Sequence, residues 1–414
     1  MTSILSKPLV LPCGAVIPNR LGKAAMSEGL ASSTNQVTPR LIAFYNRLAQ
    51  SGAGLLLSGN MQVDRRHLER PNNVVLDEQT DVVTLAELAH AGKSGGASFW
   101  AQLAHTGRQV SDAINAAPLA PSAVEIQVMR GLGSFALPVP MTEEQILHAV
   151  EQFATAGVMV KKAGFDGLSL HAAHGYLFSQ FLSPLSNLRT DRWGGSLENR
   201  SRFLVQTISR LREAVGPAFP IGIKLNSSDF QRGGFTHAEC LVLVEMLNET
   251  SLDLLELSGG SLEQPKVMGF SVKEEGEDGP KSATTIREAY FIDFARDVHA
   301  VAKMPVMVTG GVRSAPFMID AIEAGELDMV GLGRPILSDP DGPAKLLAGT
   351  IERLSTPELE VPHLLPWHNM QIERIGDGLE PDLQMAGAEA AERFALLEAV
   401  NLKNFLESGD HAAA

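Results

Sequence analysis

Cysteine is nearly absent: Cys13 and Cys240 are the only two among 414 residues. They stand far apart and without metal-ligand spacing, so they can build neither a disulfide framework nor an iron–sulfur cluster. A reducing, cytoplasmic compartment is the simplest expectation. Basic residues are outnumbered too, 34 Lys and Arg against 48 Asp and Glu, giving a formal charge of −14. That balance argues against nucleic acid and anionic membranes as partners, because phosphate binding needs basic patches. No apolar run is long enough to span a bilayer, and Met1 to Leu11 has no charged start leading into an apolar stretch, so no signal peptide is expected. No G-x-G-x-x-G motif opens a strand–helix unit with an acidic residue downstream, which excludes a Rossmann dinucleotide domain.

What is present suits one large core. Apolar residues make up 44% of the chain, and 38 glycines suit a fold with many short strand-to-helix turns. Eight short runs rich in Val, Ile and Leu recur: Arg20 to Ala25, Gly54 to Ser58, Ala97 to Leu103, Gly167 to His171, Ile221 to Leu225, Asp253 to Leu257, Pro305 to Thr309 and Met329 to Leu332. Near-continuous apolarity marks strands buried on both faces. Between them lie helical patterns, among them Thr142 to Lys162, Ser196 to Val215, His237 to Leu247 and Arg287 to Lys303, with Thr142 and Gln145 spaced as a capping box. Eight alternations read as a closed (β/α)8 TIM barrel; an open doubly wound sheet is the weaker alternative. Leu9 to Ile17 reads as a hairpin plugging the barrel bottom. Long loops, His105 to Met141 and Ser258 to Thr285, follow the third and sixth strands, on the face where barrel active sites sit. The barrel is expected over residues 1–359, and 360–414 as a helical extension of the same domain, ending in a helix over Ala386 to Leu406.

Chemistry concentrates in Gly167 to Arg202. His171 ends the fourth strand, with His174 and Tyr176 in the loop behind it. Two imidazoles three residues apart at a strand end can aim two N–H donors at one oxygen. The pair also admits a purely structural role, or a metal site. A metal would want a third ligand, which spacing does not supply, although His105 could join in space. No metal is expected.

The run H-A-A-H-G-Y followed by F-L-S-P-L-S-N-L-R-T-D-R-W-G-G-S-L-E-N-R resembles the central signature of the Old Yellow Enzyme family of NAD(P)H:flavin oxidoreductases. The resemblance extends over roughly Leu9 to Leu346. It implies that His171 and His174 hold a substrate carbonyl oxygen while Tyr176 delivers a proton to the α-carbon. Physics accords with those roles. Hydride arriving at the β-carbon of an enone pushes charge onto that oxygen, and prepositioned donors stabilise it by ~3–4 kcal/mol each in analogous oxyanion holes. Tyrosine stays protonated at neutral pH, yet is acid enough to quench a developing carbanion.

The same resemblance implies a flavin pocket. Ala25, Met26 and Ser27 would lie against the ring, Gly59 and Asn60 would offer close backbone approach, Gln102 would pair with the pyrimidine edge and Lys224 would stand beside N1 and O2. Two glycine-rich turns, V-T-G-G-V-R and G-L-G-R-P, place Gly310, Gly311, Gly333 and Arg334 after the seventh and eighth strands, the usual phosphate site of a barrel. One phosphate without an adenine site points to FMN, with NADH or NADPH as reductant and an enone or similar activated alkene as substrate. L-S-G-G-S-L-E-Q-P from Leu257 and R-E-A-Y-F from Arg287 suggest a bacterial NADH:flavin oxidoreductase branch. Three departures stand out: Ser27 where Cys or Thr often tunes the flavin, Gly29 where some relatives place a tyrosine, implying a roomier pocket, and no cysteine cluster. Two alternatives stay open, an amine or hydroxy-compound dehydrogenase on the same barrel and a non-catalytic flavin-binding protein. Homo-oligomerisation is also left open.

Overall fold

The computed structural model describes residues 3–126, 133–259, 263 and 284–409, with the backbone alone over 284–291. Eight parallel strands close into a barrel. In chain order they are Leu21–Lys23, Leu55–Gln62, Ser98–Ala104, Gly167–Ala172, Ile221–Asn226, Leu254–Ser258, Val306–Thr309 and Met329–Leu332. They pair in sequence order, and Val330 against Leu21 closes the ring. Nearly every strand residue is buried, as the unbroken apolar runs require.

Between strands, the sequence sets the helix limits through caps. Thr142 closes a capping box with Gln145 at the head of Glu143–Ala163, and Gly164 ends that helix in the left-handed region at φ +91°. Ser196 caps Leu197–Val215 by accepting the Asn199 N–H, and Thr236 closes a second capping box with Glu239 at the head of His237–Leu247. Hairpin strands Leu9–Val10 and Val16–Ile17 pair antiparallel, and Leu9, Leu11 and Ile17 pack against Leu55, Leu57, Trp100, Leu254, Met307 and Met329, sealing the barrel bottom. Trp100 fills the middle of that plug. Cβ atoms on Gly167 and Gly222 would stand 2.7 and 3.0 Å from its indole, so both strands need glycine there.

Two features depart from the expectation. The second strand continues past Ser58 to Gln62, because a register shift between Leu57 and Asn60 inserts one extra residue opposite the third strand. The extension beyond residue 360 carries two helices rather than one, Val361–Gly376 and Gly387–Ser408. Polar residues and an internal Pro366 obscure the periodicity of the first. The two helices pack on each other around Trp367, Met370, Met385 and Ala390. They also dock on the barrel, through Arg40 to Glu373 and Asp377, and through Phe405 against Leu68 and Val75. Most of the expected loop from Ser258 to Thr285 lies outside the described residues, as do the side chains of the Arg287 motif up to Phe291.

Candidate active site

Strand four ends at His171-Ala172, and the chain then turns through two left-handed residues, His174 at φ +60° and Gly175 at φ +82°. Tyr176 follows in extended conformation, as the residue capping the short helix Leu177–Leu182. The turn folds the three side chains together. The His171 ring lies 5.1 Å from that of His174 and 4.4 Å from that of Tyr176. A non-glycine residue at positive φ is costly, and such strain gathers at functional sites. Here the His174 N–H donates to Asn226 Oδ1 at 3.2 Å, which holds the turn.

Each imidazole has one nitrogen engaged. His171 Nδ1 accepts the Ala173 N–H at 3.3 Å, which places the ring hydrogen on Nε2. His174 Nε2 is 2.7 Å from Ser258 Oγ, and a serine hydrogen donated there leaves the ring hydrogen on Nδ1. Burial first, and then the Lys224 charge, push both histidines well below their usual pKa. Both rings are therefore neutral at pH 7, and each has one ring nitrogen clear of these partners. Tyr176 is pushed the other way, well above the usual phenol value, by burial and by the charge of Glu69, with a hydrogen bond from Asn60 working against them. Its phenol keeps its proton.

The remaining strand ends bring the expected cofactor residues round the same mouth. Gln102 pairs across to Asn60 on one side and Ser169 on the other, and its Nε2 is buried without a partner. Lys224 lies between His171 and Glu256 in the ladder and forms an ion pair with Glu256 at 3.1 Å; Thr309 Oγ1 donates to the same carboxylate at 2.6 Å. Ser27 Oγ is 2.8 Å from Asn60 Oδ1 and 2.5 Å from Glu69 Oε2. Met26 lies alongside Gly333, and Ala25 packs against the bottom cluster. Gly310 and Gly311 adopt φ of +130° and +78°, and Gly333 introduces the short helix Arg334–Ser338. A buried amide donor lacking an acceptor, a lysine, consecutive glycines in the left-handed region and an arginine make a set rich in donors. That set fits a planar heterocycle with an acceptor edge and a single phosphate, as in FMN.

Other residues at the mouth escaped the sequence. His368 of the first tail helix is lowered to about 3 by burial and by the charges of Arg334 and Arg313, so the tail reaches the phosphate turns. Gly59 N–H donates to Glu28 Oε1 at 2.6 Å and to Tyr45 Oη at 3.0 Å. Lys23, fully buried, donates to Leu57 O at 2.7 Å and is lowered by that burial to about 8. The roomier pocket expected beside Gly29 needs correcting. A Cβ there would stand 2.5 Å from the Arg70 guanidinium, which is fixed by Glu398 at 2.7 Å and Asn369 at 2.6 Å and lies over the Phe394 ring. Tail residues thus form the wall behind Gly29.

His105 stands apart from the His171 pair, in a buried cluster with Asp64 and His67. His67 Nδ1 and His105 Nε2 lie 3.2 and 3.8 Å from Asp64 Oδ2. The far nitrogen of each ring accepts a backbone N–H, from Leu119 at 2.9 Å and Gly107 at 3.0 Å. Metal-bound histidines instead donate from that nitrogen, so both rings are set to donate to a carboxylate. Burial would raise Asp64, but hydrogen bonds from His67 and Arg66 hold it well below the usual carboxylate range.

Comparison with known proteins agrees with this geometry. Residues 5–352 match the model of the NADH:flavin oxidoreductase / NADH oxidase family. The chain is 33% identical to the NADH-dependent flavin oxidoreductase nadA of Aspergillus parasiticus, over 88% of this chain and 83% of that one. An old yellow enzyme homologue from Zymomonas mobilis shares the fold with a TM-score of 0.71 at 23% identity, covering 86% of this chain and 95% of its own. Histamine dehydrogenase from Rhizobium sp. 4-9 superposes with a TM-score of 0.75 at 26% identity, over 92% of this chain but 54% of that longer one. With its closed barrel, its donor-rich mouth and a family match over most of its length, the chain belongs to the NADH:flavin oxidoreductase / NADH oxidase family, the Old Yellow Enzyme group, with FMN as cofactor and NADH or NADPH as reductant.

Proposed function

We propose that the protein reduces the C=C bond of α,β-unsaturated carbonyl compounds. The observation carrying this reading is the convergence of two neutral imidazoles, each with one ring nitrogen clear of its partners, on a protonated tyrosine at the end of strand four. Bound FMN, recharged by NAD(P)H, supplies the hydride. Everything else falls to the side chains. His171 Nε2 and His174 Nδ1 donate to the carbonyl oxygen, where charge accumulates as the β-carbon accepts hydride. Their neutrality matters, because a protonated imidazolium would bind the ground-state oxygen strongly as well. Tyr176 then gives its proton to the α-carbon. Gln102, Lys224, Ser27, Asn60 and Met26 orient the ring, while Arg334 and the glycine turns hold its phosphate.

Tyr176→Phe tests the reading, because it removes one hydroxyl and keeps the ring. Flavin reduction by NAD(P)H should stay near normal while enone reduction falls by about 10²–10⁴-fold, the usual contribution of a positioned general acid. Nitroalkenes, whose product leaves as a nitronate, should be spared. An equal loss on both substrates would refute proton donation by Tyr176. A second reading, oxidation of an amine, draws on the likeness to histamine dehydrogenase. Anaerobic mixing with amines, watching for flavin bleaching without NADH, separates the two.

A further inference from the structure

Tyr176 can act as an acid only if its hydrogen points at the substrate, and the hydroxyl rotates freely unless something fixes it. Asn60 Nδ2 lies 3.1 Å from Tyr176 Oη. An amide's two ends are nearly the same shape, so the direction of that bond has to come from its neighbours. Those neighbours lead back to a backbone donor. The Arg70 N–H donates to Asn73 Oδ1 at 2.8 Å, which fixes which end of Asn73 is nitrogen. Asn73 Nδ2 then faces Asn60 Oδ1 at 3.4 Å and Glu69 Oε2 at 3.5 Å. Ser27 Oγ lies 2.8 Å from that same Asn60 oxygen, but its one hydrogen is also within reach of Glu69 Oε2 at 2.5 Å, so it does not itself fix the amide. With Asn73 as donor, Asn60 presents oxygen to Asn73 and nitrogen to the phenol. One lone pair of Tyr176 Oη is taken by that donor, and among the described residues none accepts the phenol hydrogen.

We infer that Asn60 is a positioning residue for Tyr176: its amide donates to the phenol oxygen and so turns the phenol hydrogen into the pocket. The inference rests on the reading of Tyr176 as proton donor given above. During transfer the phenol O–H bond breaks, a C–H bond forms at the α-carbon, and the electron pair left on Oη is held by the Asn60 N–H already in place. Solvent later returns the proton. The direction is set locally by the chain Arg70 N–H, Asn73, Asn60. Glu69 sits at the far side of Ser27, at 2.5 Å, so a carboxylate lies close to the network without touching the phenol.

The test compares Asn60→Asp with Asn60→Ala, each as FMN-loaded enzyme reduced beforehand with NADH and mixed with an enone in a stopped-flow instrument. Asp keeps the shape of Asn but, when ionised, can only accept; it would draw the phenol hydrogen out of the pocket. Ala leaves the hydroxyl free to rotate. Enone reduction should therefore fall further in the Asp variant, by about 10²-fold or more, than in the Ala variant, at about 10-fold, within the range a general acid contributes. The Asp variant should regain rate as pH falls, because the introduced carboxyl, once protonated, donates again, while the native enzyme stays flat over the same range. Nitroalkene reduction should drop far less in both variants. Equal losses with a flat pH profile, or equal losses on enones and nitroalkenes, overturn the positioning role. Tyr176→Phe run alongside keeps the two claims apart: an unchanged enone rate there overturns proton donation itself, whereas a large loss there with Asn60→Asp behaving like native overturns only the role of Asn60.

Discussion

Lowering the pH from 7.5 to 5.5 should destabilise the fold by several kcal/mol, and four histidines set the amount. His105, His171 and His174 are held well below their usual pKa, and His368 at about 3. Burial is the leading cause in each. In the unfolded chain each returns to about 6.5. A group whose native pKa is depressed in this way binds more protons when unfolded, so stability is intact above the unfolded value and declines as pH falls below it. Over this interval each histidine takes up nearly one extra proton on unfolding, which amounts to about 1.4 kcal/mol per residue. Four independent groups would give about 5 kcal/mol, a large share of the 5–15 kcal/mol typical of a domain. Lys23 lies outside the window, because its native value of about 8 affects stability only above that pH. Glu373 and Asp229, raised by burial, oppose the trend, because each binds more protons folded than unfolded. Urea unfolding with excess FMN at pH 7.5, 6.5 and 5.5 measures the effect, provided the slope against urea stays constant. A total change under about 1 kcal/mol between pH 7.5 and 5.5 would refute the assignment of these rings as neutral in the native state.

Replacing His171 or His174 by Ala should cost roughly 2–4 kcal/mol in enone kcat/KM while leaving the rate of flavin reduction by NADH much less changed, as stopped-flow absorbance would show. Gly29→Ala forces an L-residue to φ +65° and meets the Arg70 guanidinium, so urea unfolding should show a loss of about 2–3 kcal/mol. Glu398→Gln removes the charge opposite a buried Arg70 but keeps one side of the contact. With the Glu398 side chain 29% exposed, the expected loss is about 1–3 kcal/mol, read by the same method and largely recovered when Arg70→Met is added.

The barrel was legible because its strands are buried on both faces and therefore spell unbroken apolar runs. The cap at Thr142 was legible because it acts over three residues. His171, His174 and Tyr176 share one strand end, so a local motif carries them. What escaped is contact across distance. Glu28 meets Tyr45 and Gly59, and Arg70 meets Glu398 across 328 positions, pairings that no spacing rule exposes. The same holds for Asn60. As a residue after a strand, Gly-Asn reads as a turn, and only the ladder shows the strand running on to Gln62. The first tail helix was missed for another reason: its buried residues mix His368, Asn369 and Gln371 with Trp367, Met370, Ile372 and Ile375, which blurs the apolar period, and it carries Pro366 inside.

The extra residue in the second strand has a consequence for how this site tolerates change. Strand side chains alternate, so Leu57 and Asn60 would ordinarily face opposite ways; the insertion between them shifts the phase, and Asn60 lines up with Gln102 just as Leu57 lines up with Trp100. Ser58 makes the shift sustainable by accepting the Gln102 N–H at 2.9 Å and donating to Gly59 O at 2.7 Å. The mouth of the barrel therefore depends on a count as much as on residue types. Deleting Gly59 would leave a regular ladder with Asn60 still opposite Gln102, yet it would remove the N–H that meets Glu28 and Tyr45.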